Sequence, residues 1–302
     1  MNSKIKFAVV LFVLLVVCSL EAQERTIKDD LGFAFGITSP PQRIISLAPN
    51  ITETLFALGL GEKVIGVTRY CDFPEEAMKK EKIGGMVDPN LEKIIALKAD
   101  LIIGFRGNPL PTIERLRNLN LPVFVLDAGT TIESTLAIVK KIGIVTHAEK
   151  RAESYVNSLR ERYKKILAAL RSVTEEPKVF LSLHGRGLWT CGKESFLDDL
   201  IKKARGVNIA GNIPRKWLNY NREHLIHEDP EVIIVLARSK QDFLKTKKWF
   251  KSEAHLEGTK AVEADRIYFM DENLATRQGP RLIEALEKMA RLLHPQYFEM
   301  DQ

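Results

Sequence analysis

Residues Asn90–Ile103 (NLEKIIALKADLII) and Asn221–Ile234 (NREHLIHEDPEVII) align without a gap, 131 positions apart. They match at Asn90/Asn221, Glu92/Glu223, Ile95/Ile226, Asp100/Glu231, Ile102/Ile233 and Ile103/Ile234. Each copy reads as a capped helix running into a buried strand: Asn before the first turn, an acid inside it, then an apolar run. The surroundings correspond too. A strand and helix precede each copy (Arg43–Leu58 and Lys178–Lys203), and a strand ending in Asp127 or Asp271 follows. A unit written twice constrains the chain to two similar α/β lobes, with room for a cleft between them.

At 302 residues and 45% hydrophobic content, the chain can bury one large core or two ordinary ones. Residues 1–22 read as a secretory signal: Lys4 and Lys6 first, then the apolar run Phe7–Val17, then small residues by Ala22. Cys18 offers a second processing route. Leu15 and Val16 suit a bacterial lipobox, although Val17 is bulkier than the small residue usual beside a lipidated cysteine. Either route exports the chain to the periplasm, free or lipid-anchored on the outer face of a membrane. Removing Lys4, Lys6 and Glu21 takes the formal charge from +6 to +5. The densest basic run, Lys245–Lys251, fits a solvated helix face better than a nucleic-acid track, so no nucleic-acid partner is expected. Cys71 and Cys191 remain after processing; they can pair or stay buried.

From Arg43 the pattern alternates strand and helix, with continuous β-branched strands that imply parallel pairing buried on both faces. Helix Ile132–Ile142 is expected to end at Gly143. Thr146–Ser172 then carries the longest helical signal, with Thr146 and Glu149 at capping-box spacing. Its apolar face, from Ala148 through Tyr155, Leu159 and Ile166 to Leu170, is uninterrupted by Gly or Pro. Such a helix would extend roughly 37 Å. The expected architecture is a signal peptide (1–22), an N-terminal lobe (23–145), a bridging helix (146–172) and a C-terminal lobe (173–302). The fold class is α/β, two lobes with parallel sheets bridged by one long helix.

Hydrolase elbow, P-loop, zinc-protease helix and dinucleotide fingerprint are all missing from the sequence. His224 and His227 have helical spacing but no accompanying ligand set, so no metal site is expected. Cys191 as a nucleophile, or the glycines of His184–Ser195 as a phosphate cradle, would each lack supporting groups. Aromatics recur instead at expected strand ends in both halves: Tyr70, Phe105, Trp189 and Trp217. Rings from two lobes suit a large, flat, partly apolar ligand.

Five stretches carry a resemblance: Arg43–Pro74 (RIISLAPNITETLFALGLGEKVIGVTRYCDFP), Asn90–Asn108 (NLEKIIALKADLIIGFRGN), Gly192–Ser195 (GKES), Gly206–Gly211 (GVNIAG) and Ala275–Arg281 (ATRQGPR). Through them the chain resembles the class III periplasmic solute-binding proteins of ABC importers, the cobalamin-binding branch in particular. The resemblance implies a monomeric binding protein, not an enzyme, that needs no cofactor, captures a corrinoid and hands it to an ABC permease dimer. It places corrinoid contacts on Tyr70, Phe105, Trp189 and Trp217, with Asn273 and Arg277 in the polar loop closing the cleft. It also makes Glu92 and Glu223 partners of permease arginines. Phe105 stands where the best-known members carry Trp, which bears on fine ligand preference. Haem and ferric-siderophore binders share the implied fold and remain alternatives. A two-lobed nitrogenase-like or chelatase-like enzyme is the alternative from another class; cluster-type cysteine spacing would favour it, and the sequence has none.

Overall fold

The computed structural model describes residues 25–298; the expected signal segment 1–22, Cys18 included, lies outside the described residues. A short antiparallel hairpin leads in, β1 (Arg25–Lys28) and β2 (Ala34–Ile37). The first sheet takes β3 (Ile44–Ser46), β4 (Val64–Val67), β5 (Glu81–Lys82), β6 (Leu101–Phe105) and β7 (Val123–Leu126), all parallel, in the order β5-β4-β3-β6-β7. The second half contributes β8 (Lys178–Leu183), β9 (Trp189–Cys191), β10 (Val207–Asn208), β11 (Trp217–Asn219), β12 (Val232–Ala237) and β13 (Ile267–Asp271). Four of these form a parallel sheet in the order β10-β8-β12-β13. The remaining two, β9 and β11, pair antiparallel as a separate ribbon.

The sequence repeat occupies equivalent places in the two sheets. Its strands are β6 and β12, and each lies beside the opening strand of its own sheet, β3 or β8. Its helices, Leu91–Ala96 and Arg222–Glu228, are capped alike: Asn90 accepts from the Lys93 amide at 2.9 Å and Asn221 from the His224 amide at 3.1 Å. The repeated acid explains itself in the same way. Asp100 accepts from the Arg43 amide at 2.8 Å, and Glu231 from the Lys178 amide at 2.9 Å, so each fastens the start of the neighbouring strand. Side-chain direction is matched as well. Ile103 and Ile234 point into one shared core, while Ile102 and Ile233 face the outer layers, as period-two alternation requires.

That shared core joins the halves. It runs from Ile103 and Phe124 of the first sheet, through Val156 and Ile166 of the long helix, to Leu181 and Ile234 of the second sheet. Each such side chain contributes about 1.5–3 kcal/mol of burial.

The long helix is shorter than its sequence pattern. Two helices occupy the region, Ile132–Val145 and Glu149–Ala169, and a 3-10 turn follows at Leu170–Ser172. His147 between them has φ +53°, which breaks the helical path. Thr146 is not an N-cap; its hydroxyl donates back to the Ile142 carbonyl at 2.6 Å and closes the preceding helix. Gly143 is likewise no terminator. It sits inside its helix, where an added Cβ would lie 2.4 Å from that of Ala152. The glycine lets the two helices approach to backbone contact. The 21-residue helix Glu149–Ala169 then reaches both halves, through Arg160 to Glu133 at 2.7 Å and Arg162 to Glu287 at 2.6 Å.

Candidate ligand-binding site

All four aromatics singled out in the sequence follow the C-terminal ends of parallel strands, the edge where ligands of open α/β sheets bind. Tyr70 follows β4, Phe105 ends β6, Trp189 follows β8 and Trp217 follows β10. Tyr70, Trp189 and Trp217 are 45%, 51% and 37% exposed, unusual for rings of this size. Phe105 is half-buried.

Local structure fixes each ring. Trp189 pairs with Asn219 and Trp217 with Cys191 in the β9–β11 ribbon, so both indoles stand on the same face of it as diagonal neighbours. The opposite face, through Thr190 and Leu218, packs inward. Phe105 is held by Asn108, a buried residue whose side-chain Oδ1 accepts from the Phe105 amide at 2.7 Å. The Asn108 side-chain amide donates to the Leu47 and Met86 carbonyls, at 3.0 and 2.9 Å. In the sequence Asn108 is only the last residue of a stretch that carries the resemblance; nothing local to it shows this positioning role. Tyr70 lies under the Arg69 guanidinium, 5.2 Å from the ring centre, and Arg69 is fixed by Asp88 at 2.8 Å.

One cation of the second half lies within electrostatic reach of the first-half edge. Lys216, just before Trp217, acts on Asp127 at the end of β7. Burial opposes the Asp127 charge, but the hydrogen bond from Arg106, the Gly129 amide and the fields of Arg106 and Lys216 outweigh it and hold the carboxyl below its usual value.

At the other end, Ala275–Arg281 forms a latch between the halves. Glu53, on the helix Pro49–Ala57, is buried and receives Arg277 at 2.9 Å and Arg281 at 2.7 Å. Arg277 also pairs with Asp72 at 2.5 Å and donates to the Tyr70 carbonyl at 3.0 Å. Asn273 donates to the same Asp72 at 3.0 Å, and Arg281 stacks over Phe73 at 3.9 Å. Burial works against the Arg277 charge, yet the Asp72 and Glu53 hydrogen bonds prevail and raise its pKa. Asn273 and Arg277 are thus brought to Tyr70, with the Arg277 charge already balanced by carboxylates of the first half.

Glu92 and Glu223 are exposed in the first turns of their equivalent helices. Their neighbours Lys93 and Arg222 are paired with Glu81 and Glu253, at 2.5 and 2.6 Å, while the two glutamates have no ion-pair partner among the described residues. Cys71 and Cys191 are both free and buried. Burial raises the Cys71 thiol against hydrogen bonds from Thr52 and Thr68, and pushes the Cys191 thiol up to about 12.

A family model described as periplasmic binding protein matches residues 44–274. The chain belongs to the periplasmic binding protein family. It is 31% identical, over 91% of its length and 87% of the relative's, to an uncharacterized ABC transporter substrate-binding lipoprotein of Bacillus subtilis. It is 28% identical to a vitamin B12-binding protein of Photorhabdus laumondii, over 87% of this chain and 92% of that one. Among solved structures it resembles the apo form of a periplasmic heme-binding protein from Roseiflexus sp. RS-1, with a TM-score of 0.77 and 24% identity over 85% of this chain and 99% of that one. A periplasmic binding protein of an ABC importer captures a small molecule for a permease and is not an enzyme.

Proposed function

We propose that this binding protein captures cobalamin or a related corrinoid outside the cytoplasm and delivers it to an ABC permease dimer. The reading rests on one observation above all: Trp189 and Trp217 stand exposed on one short ribbon of the second half, and Tyr70 is exposed after β4 in the first half. Exposed rings contributed by both halves suit the broad faces of a corrin macrocycle. Relatives named as vitamin B12-binding proteins support the same choice. Asn273 and Arg277 meet Asp72 beside Tyr70 and would contact the ligand's polar rim, and the protein acts as a monomer. Glu92 and Glu223 are its contacts to the permease, one acid per lobe. A tether at Cys18 agrees with the lipoprotein among its relatives.

A haem reading draws on a separate observation. Tyr70 is exposed, and the Arg69 guanidinium lies over its ring; a tyrosine oxygen can ligate haem iron. Spectral titration with cyanocobalamin, haem and a ferric siderophore separates the readings, repeated with Tyr70→Phe. The corrinoid reading expects saturation by cyanocobalamin, with modest weakening in Tyr70→Phe because the ring remains. Saturation by haem alone, with an iron-ligand band lost in Tyr70→Phe, would replace it.

A further inference from the structure

The loop that follows β8 and carries Trp189 has a second side. Its first residues and the helix Lys240–Ser252 enclose a concavity of about 390 Å³. Arg186, Lys245 and Lys248 line it, against a single carboxylate, Asp242. Lys245 reaches Asp242 only at 3.8 Å, too far for a hydrogen bond. Arg186 and Lys248 meet no carboxylate among the described residues. Four neighbouring basic side chains are paired. Lys247 and Lys251, on the same helix, share Asp265 at 2.8 and 2.7 Å. His184 and Arg238 both lie 3.1 Å from the carboxylate of Glu272. The surplus of positive charge is therefore concentrated on the concave face.

The concavity is also preformed. The Gly185 amide donates to the hydroxyl of buried Thr246 at 2.8 Å, tying the loop to the helix. Gly185 and Gly187 adopt φ of +111° and +153°, a course that side chains would strain. Trp249 forms one wall and is itself packed edge-on against Phe250, 4.9 Å between ring centres. Clustered, unpaired cations in a cavity with a fixed aromatic wall select ligands of the opposite sign.

We propose that this concavity, whose lining includes none of the four rings Tyr70, Phe105, Trp189 and Trp217, binds a small polyanion bearing two or three carboxylate or phosphate charges. The cations Arg186, Lys245 and Lys248 hold the charge, and the tethered loop gives the site its shape. Arg186 lies three positions before Trp189, so an occupied site also restrains the loop that presents this indole.

The chain has three tryptophans, so a variant carrying Trp189→Phe and Trp217→Phe leaves Trp249 as the sole indole reporter. It lacks both cleft tryptophans, which makes the outcome independent of what the cleft takes. Pyrophosphate and citrate are titrated separately at constant ionic strength, with Trp249 emission and calorimetry as readouts. The expected result is saturable binding of at least one of them, with the same midpoint by both methods. Adding Arg186→Gln and Lys248→Gln should weaken it at least about tenfold, with melting temperature unchanged because both side chains are exposed. Lys164→Gln, on the far long helix, should leave it unaltered. An emission change that chloride reproduces at equal ionic strength, or a midpoint that ignores Arg186 and Lys248, would overturn the proposal.

Discussion

Glu53 and Arg281, 228 positions apart, meet across the junction of the two halves in a bidentate ion pair, Nε to Oε2 at 2.9 Å and Nη2 to Oε1 at 2.7 Å. Arg277 adds a third bond to the same carboxylate. One buried acid thereby holds two arginines of the closing segment.

Removing that acid should be costly. Glu53→Gln leaves the largely buried Arg281 guanidinium without its counter-charge and Arg277 with Asp72 alone, and breaking such a buried pair costs about 3 kcal/mol or more. Asp72, whose side chain is 45% exposed, should cost under about 1 kcal/mol as Asp72→Asn. Urea unfolding monitored by circular dichroism compares the two; equal losses would remove the special role of Glu53.

The continuous core and this latch together predict a stiff molecule. X-ray scattering curves with and without ligand should nearly superimpose, since bending would have to open packed side chains shared by both sheets. A clear fall in radius of gyration on binding would show a hinge that the core does not allow.

Neither thiol should behave as a reactive cysteine. Burial raises both, and Cys191, pushed up to about 12, stays protonated throughout the physiological range. At pH 8 a thiol reagent should modify Cys71 and Cys191 only after denaturant is added. Rapid labelling of the native protein would mean that these side chains open to solvent.

The glutamate pair should matter to transport alone. Glu92→Gln with Glu223→Gln should leave ligand affinity near wild type and sharply reduce permease docking and uptake, while the double Lys variant should be worse. Full uptake by the double Gln protein would leave both residues as first-turn acids that favour the helix dipole.

The repeat was legible because its residues work locally. An Asn caps its own helix and alternate isoleucines face opposite layers, so these positions carry their reason within a few residues; Asp100 and Glu231 fasten strands 57 and 53 positions away, a role that local reading does not reach. Tyr70, Phe105, Trp189 and Trp217 were legible as rings beside strand ends. The β9–β11 ribbon was not: three-residue strands have no measurable period, and their pairing is antiparallel within a parallel pattern. The break between the two long helices was expected, but a few residues early, at Gly143; the positive φ at His147 that makes it has no signal in the apolar pattern. The family resemblance alone put Arg277 in a loop closing the cleft; its role as a latch was not legible. Its partner Glu53 lies more than 220 positions away, and nothing local identifies it.

The most direct measurement is an absorbance titration of cyanocobalamin into the wild-type protein and into Trp189→Ala, Trp217→Ala and the double variant. The account predicts one saturable site in the wild type. Each single substitution should weaken it by ~1–3 kcal/mol, ~5- to 150-fold, with unfolding curves unchanged, and the double variant should lose more than either. Undiminished affinity in the double variant, or unfolding of Trp217→Ala with affinity intact, would contradict the assignment of this ribbon face to the ligand.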